Sequence, residues 1–169
     1  MDQIPQFEIT TYDFAAGNPR DWVFPYNYHY LYILENGSSA YIGETNDIWV
    51  RSIRHRTKTD ACYPHHFKRI HVITGERISG TPAQHYEALF ILLMRIDGMF
   101  RICNTSPGSR TFYADRNLFE LGFDQLWAKL AAKGLVTTRT FQAILNTTAY
   151  KYSPFTVLTP AQQQTMDWA

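Results

Sequence analysis

The amino-acid sequence predicts an α+β fold, with strands and helices interleaved up to about residue 108 and helices alone beyond it. Three observations carry this. An aromatic-rich strand–turn–strand pattern occupies residues 28–43. A short, well-capped basic helix follows it. A long helix, apolar almost all round, begins near a proline and ends at a glycine.

The first strand is Tyr28-His29-Tyr30-Leu31-Tyr32-Ile33-Leu34, the turn Asn36-Gly37-Ser38-Ser39, and the second strand Ala40-Tyr41-Ile42-Gly43. Successive strand residues point to opposite faces. Leu31 and Ile33 therefore share one side, Tyr30 and Tyr32 the other, and Tyr41 pairs with Gly43 on a single face. Both tyrosine sets can face the same side of the hairpin. Thr45-Asn46-Asp47 offers N-cap oxygens to a helix over Ile48–His55. There Arg51 and His55, four apart, present on one face. Arg69–Thr74 reads as a third strand. Thr81-Pro82-Ala83-Gln84 is a helix start with Thr81 as N-cap, and Gly98 is the matching C-cap. Phe100–Cys103 reads as a short strand. Residues 1–27, broken by Gly17-Asn18-Pro19 and Pro25, read as an N-terminal arm. Residues 28–108 form the core and 109–169 a C-terminal helical extension. In that extension Leu118–Lys133, Thr138–Asn146 and a short stretch after Thr159 are helical.

Composition narrows the functional classes. The chain has 169 residues, 45% hydrophobic and 15% aromatic, which suits a packed core rather than disorder. No run of about eighteen apolar residues exists to span a membrane. The first ten residues include acidic and polar residues and hold no apolar stretch, so no secretory signal is expected. The two cysteines, Cys62 and Cys103, form no metal-type pair or disulfide framework, which points to a reduced, cytoplasmic setting. The formal net charge is only +1, yet Arg51, Arg54, Arg56, Lys58, Lys68 and Arg69 crowd one segment in which Asp60 is the only acid. Such a strip suits contact with phosphate at one place, and equally a solvated helix face.

Glu87 stands out on physical grounds. It lies in a helix followed by Leu89-Phe90-Ile91-Leu92-Leu93-Met94, and a buried carboxylate costs several kcal/mol unless it is paired or metal-bound. A salt bridge to Arg51 or His71 is the plain alternative. The tyrosines could equally be cross-strand packing. His65 and His66 are adjacent, point apart, and read as loop residues rather than metal ligands.

Order and spacing carry more than any one residue. Tyr30-Leu31-Tyr32, then Tyr41-Ile42-Gly43-Glu44-Thr45-Asn46-Asp47, then Arg51 and His55, then Glu87, then Asn104 resembles the GIY-YIG nuclease family over residues 28–108. Two positions depart from the family pattern. The first motif lacks its glycine, so that Tyr32 fits the motif tyrosine and Tyr30 is a decoy; Glu44 stands where many relatives carry lysine. The resemblance implies a three-stranded mixed sheet flanked by helices and a metal-dependent endonuclease acting on nucleic acid, with DNA the expected substrate. It implies one Mg²⁺ or Mn²⁺ held by Glu87 and catalysis by Tyr32, Tyr41, Arg51, His55 and Glu87. Tyr32 would act as general base, exchangeable with Tyr41, while Arg51 neutralises phosphoryl charge and His55 serves as donor or proton relay. Gly43, Arg54 and Asn104 would border the substrate, with Asn104 bracing the site.

Two other readings accompany this one: a non-catalytic nucleic-acid-binding module, and a domain whose C-terminal helices recruit a protein partner. In the latter, Phe123, Trp127, Leu130, Phe141 and Leu145 look like a small satellite core. The segment from Lys151 to Pro160 resembles a tail that precedes a helicase-like ATPase in some relatives.

Overall fold

The computed structural model describes residues 4–24, 29–76, 78–108 and 116–151. Five strands form one mixed sheet: β1 (Phe7–Asp13), β2 (Tyr30–Glu35), β3 (Ser39–Thr45), β4 (Arg69–Gly75) and β5 (Arg101–Ile102), in the order β1-β4-β2-β3-β5. All neighbours are antiparallel except β3 and β5. Among the described residues five α-helices accompany them: α1 (Ile48–His55), α2 (Gly80–Asp97), α3 (Arg116–Ala132), α4 (Phe141–Leu145) and α5 (Thr148–Lys151). The α+β class holds, but the sheet has five strands rather than three. No helix among the described residues is long and apolar enough to cross a membrane.

The extra strand at one edge is β1, drawn from the segment that reads as an arm. It pairs with β4 from Phe7↔Gly75 to Asp13↔Arg69. Phe7 and Ile9 turn inward beneath the helices; on the other face only Tyr12 packs, against Trp22 and Phe24, so the apolar pattern of β1 is too short to stand out. The hairpin β2–β3 is as expected. Its strand β2 is central and buried along its whole length, which explains its near-continuous apolar run.

Alternation on these strands divides two cores. Leu31, Ile33, Ile42 and Ile73 face α2, α3 and α4, whereas Tyr30, Tyr32, Leu34, Ile70 and Val72 face Ile48 of α1, Phe14, Trp22 and Phe67. Tyr30, the decoy, packs edge-on against Phe24 and Trp49. Helix α2 is apolar nearly all round because it lies between sheet and α3; Phe123 packs on both Tyr86 and Phe90. It starts at Gly80 with Ser79 at the cap position, so Thr81 lies inside the helix and not at its cap. Gly98 ends it at φ 75°, in the left-handed region where glycine is at ease.

The C-terminal helices are continuous with this core rather than a satellite. Phe123, Trp127, Leu130 and Ile144 are fully buried in it, with Phe141 against them. Two ties fasten them. The Asp97 carboxylate accepts the backbone N–H groups of Thr137 (2.7 Å) and Thr138 (2.9 Å), and Lys129 donates to the Phe7 carbonyl on β1. Helix α4 begins at Phe141, capped by Thr140, three residues later than Thr138. The expected stretch after Thr159, and the tail from Tyr152 to Pro160, lie outside the described residues.

Candidate functional site

The site lies where β2, β3 and α1 meet. Asp47 caps α1, its Oδ1 accepting the Val50 N–H at 2.9 Å, while the Asp47 N–H donates to Thr45 Oγ1 at 3.1 Å. This pins the helix entry directly to the end of β3. Ile48, Ser52 and His55 are buried along one stripe of the helix, and Arg51 on the same side reaches over the sheet. Cross-strand register places Tyr32 opposite Gly43 and Tyr41 opposite Leu34.

Four of the predicted residues meet in one hydrogen-bonded cluster. Tyr32 Oη lies 2.7 Å from His55 Nε2. Arg51 donates from Nε to Tyr32 Oη (3.2 Å) and from Nη2 to Tyr41 Oη (3.4 Å). The Tyr41 ring stands edge-on to His55, with centroids 5.2 Å apart. Tyr32 is only 1% exposed and His55 2%. Burial, reinforced by Tyr41, holds the Tyr32 phenol well above its ordinary pKa despite Arg51. Burial pushes Tyr41 up as well. The positive charge of Arg51 does not bring the Tyr32 pKa down to suit a general base, because desolvation of a phenolate outweighs one guanidinium. Tyr32 rests as a neutral phenol. His55 is pushed down by burial, against the pull of Asp60, and is neutral too.

Glu87 approaches from the other layer, around the open edge of β3. Strand β5 pairs with β3 only at Ser39 and Ala40. Beyond that, side chains take over the ladder. Asn104 Oδ1 accepts the Ile42 N–H at 2.9 Å and Asn104 Nδ2 donates to the Ile42 carbonyl at 2.7 Å. Further along β3, the Glu44 backbone N–H faces the Glu87 carboxyl and favours its charged form. Glu87 is partly buried and forms no ion pair with a described residue. His71 instead lies 3.6 Å from Glu35. Burial and the charge of Glu44, only partly offset by Arg51, push the Glu87 carboxyl up to about 7.

The three residues expected to border substrate divide. Arg54 does line an open cavity of about 550 Å³ with Arg51, His29, Glu44 and Asn46, its side chain 71% exposed. Asn104 does not reach out to a substrate, since both ends of its amide are engaged by Ile42, and it braces β3. Gly43 is a place of close approach, lying under the Tyr32 ring. Asn104→Ala should strand the Ile42 N–H and carbonyl and cost about 2–4 kcal/mol. A urea titration checks this; a loss below about 1 kcal/mol would mean that water replaces the amide.

One residue of the cluster has no role in the sequence pattern. Asp60 Oδ1 lies 2.9 Å from His55 Nδ1 and accepts the Cys62 N–H at 2.9 Å. Although burial opposes it, these bonds hold the Asp60 carboxyl below its usual range. Its one signal in the sequence is that it is the sole acid of the basic strip. His55, Asp60 and Cys62 also bring ligand-type atoms within 4.8 Å of one another. With His55 and the Cys62 amide both bonded to one carboxylate oxygen, that trio is satisfied without an ion. Cys62 and Cys103 are both free thiols.

Comparisons with protein-family models, curated proteins and solved structures give no match, so the chemistry of these side chains carries the functional reading.

Proposed function

We propose that this protein is a metal-dependent endonuclease of the GIY-YIG type that hydrolyses phosphodiester bonds of nucleic acid, with DNA as its substrate. One observation carries the reading: Tyr32, Tyr41, Arg51 and His55 share a single hydrogen-bonded cluster beside a partly buried carboxyl, Glu87, that has no ion-pair partner among the described residues. A binding module has no use for a carboxyl kept in that state.

The donor set fits a hard divalent cation. Glu87 is short of positive charge, and the neighbouring Glu44 adds more negative charge and more oxygen, which suits Mg²⁺ or Mn²⁺ over softer metals. Glu87 would hold the ion, which when bound supplies polarisation of the scissile phosphate and stabilisation of the leaving oxygen. Arg51 meets the phosphoryl charge, and Arg54 at the cavity mouth guides the backbone of the strand. Tyr32, a neutral phenol, takes the proton of the attacking water as its own proton passes to His55 Nε2. Tyr41, fixed by Arg51, orients the water or the phosphate.

The test is incubation of the protein with supercoiled plasmid and with a single-stranded oligonucleotide, in Mg²⁺, Mn²⁺ or EDTA. Cutting that needs the metal and disappears in Glu87→Gln supports the proposal. An intact substrate in every metal condition would overturn it in favour of a binding-only or partner-dependent domain. Arg51→Lys keeps the charge but cannot bridge two phenol oxygens, and should lose about 100-fold or more of the single-turnover rate. A rate within threefold of wild type would remove the two-pronged role of Arg51.

A further inference from the structure

We infer that Asp60 is a positioning residue of the site: it fixes the His55 imidazole as the Nδ1–H tautomer, so that Nε2 is bare and ready to take the Tyr32 proton. The inference rests on the nuclease reading for its catalytic consequence, but its chemistry stands on geometry alone.

Each hydrogen bond in the row has one allowed direction. A guanidinium only donates, so Arg51 Nε–H points at Tyr32 Oη. That leaves the Tyr32 hydroxyl proton free to lie along the 2.7 Å line to His55 Nε2. A neutral imidazole that accepts at Nε2 carries its proton at Nδ1. That nitrogen lies 2.9 Å from Asp60 Oδ1, and a carboxylate only accepts. The two flanking groups thus select the same tautomer. Asp60 is itself held, because the Cys62 N–H donates to the same oxygen and Arg54 lies 3.9 Å from the other. The loop Arg56–Cys62 closes through short turns, Arg56 to Ile53, Thr57 to Arg54 and Asp60 to Thr57, and brings the carboxylate back under the helix that carries His55.

The row Tyr32–His55–Asp60 has the logic of a nucleophile–histidine–acid relay with a phenol at its head. Balance is simple. As water attacks phosphorus, its proton passes to Tyr32 Oη and the phenol proton passes to His55 Nε2. This creates an imidazolium beside the Asp60 carboxylate, and the proton leaves later to the departing oxygen or to solvent. No net charge is left on a buried phenolate, which the surroundings of Tyr32 strongly disfavour.

Two measurements on the full chain test this. Nitrogen-15 imidazole spectra of the wild type are expected to show His55 protonated at Nδ1, with a downfield, hydrogen-bonded proton that is lost or moved in Asp60→Asn. Protonation of wild-type His55 at Nε2, or His55 resonances unchanged in Asp60→Asn, would overturn the inference. These spectra decide it even if the protein cuts nothing, an outcome that would sink the nuclease reading alone. In single-turnover plasmid cleavage, Asp60→Asn should slow the rate about 100-fold while leaving DNA affinity within twofold. In a His55→Gln background the same substitution should cost less than threefold further, since both act through one proton path. A full 100-fold loss in that background would show that Asp60 acts elsewhere.

Discussion

Replacing Glu87 with glutamine is expected to abolish metal-dependent cleavage and, at the same time, to make the protein more stable at pH 8. The carboxyl ordinarily titrates near 4.5 but is held at about 7 in the folded chain. Between those values the folded state keeps a proton that the unfolded state releases, so stability falls as pH rises through this window. The cost is absent below about pH 4.5 and complete above 7. At full value it is roughly 3 kcal/mol, and partial exposure of Glu87 leaves about 1–2 kcal/mol of it. Glutamine keeps the shape and removes the charge. Its melting temperature should exceed that of wild type by about 2–4 °C for each kcal/mol recovered at pH 8, and the difference should vanish at pH 4.5. Added Mg²⁺ should stabilise the wild type and not the variant. A glutamine variant less stable than wild type at pH 8 would show that the carboxylate is already compensated. Such a trade of stability for a charged group is what the proposed nuclease role of Glu87 requires.

Gly43→Ala, a change of one methyl group, should cost at least about 100-fold in cleavage rate while the chain still folds. Gly43 pairs across the hairpin with Tyr32, and the phenol ring lies over it. A methyl group there would overlap Tyr32 Cζ, Oη and Cε1. The backbone at Gly43 is not in the left-handed region, so the requirement is for space and not for an unusual φ. The ring cannot easily yield, because Arg51 and His55 grip its hydroxyl and the residue is buried on all sides. Either the hydroxyl shifts or β2 and β3 part. A displacement of about 1 Å of a reacting group is enough for a 100-fold loss, while the overpacking costs about 1–3 kcal/mol. Single-turnover rates read together with thermal melts separate the two effects. A variant with wild-type rate would show that the Tyr32 hydroxyl need not sit where it does.

Most of the cluster that forms the candidate site could be read from residue order, and the reason is local geometry. Tyr32, Tyr41 and Gly43 belong to one hairpin, where alternation alone assigns faces, and Arg51 and His55 to one capped helix, where spacing alone assigns a side. Glu87 was visible through its apolar helix, which makes a carboxyl conspicuous. What local pattern could not supply was closure at a distance. Thr11 meets His71, 60 positions on, and nothing within residues 7–13 announces that partner. Asp60 returns beneath His55 only because a series of short turns reverses the loop. The Asn104 clasp on Ile42 spans 62 positions, so its role as a substitute strand neighbour emerges only from the assembled sheet. The C-terminal helices read as separate because their tie to Asp97 is likewise remote. The pKa of Tyr32 turned on burial, which spacing does not measure.

The place of β1 has a consequence for how the chain is made. Of the described strands β1 is synthesised first, yet it lies outside β4, so its backbone bonds to β4 wait for Arg69–Gly75. Protein synthesis runs at about 5–20 residues per second, which leaves β1 unpartnered for seconds. Phe14 and Trp22, just downstream, form the outer wall on the tyrosine face, with Phe14 and Trp22 both under the Arg56 guanidinium. The hairpin and α1, whose contacts are close in sequence, can assemble sooner. A half-made chain can therefore bring its hydroxyls and imidazole together before Phe14 and Trp22 are fixed over them, and β1 is locked long after it is made.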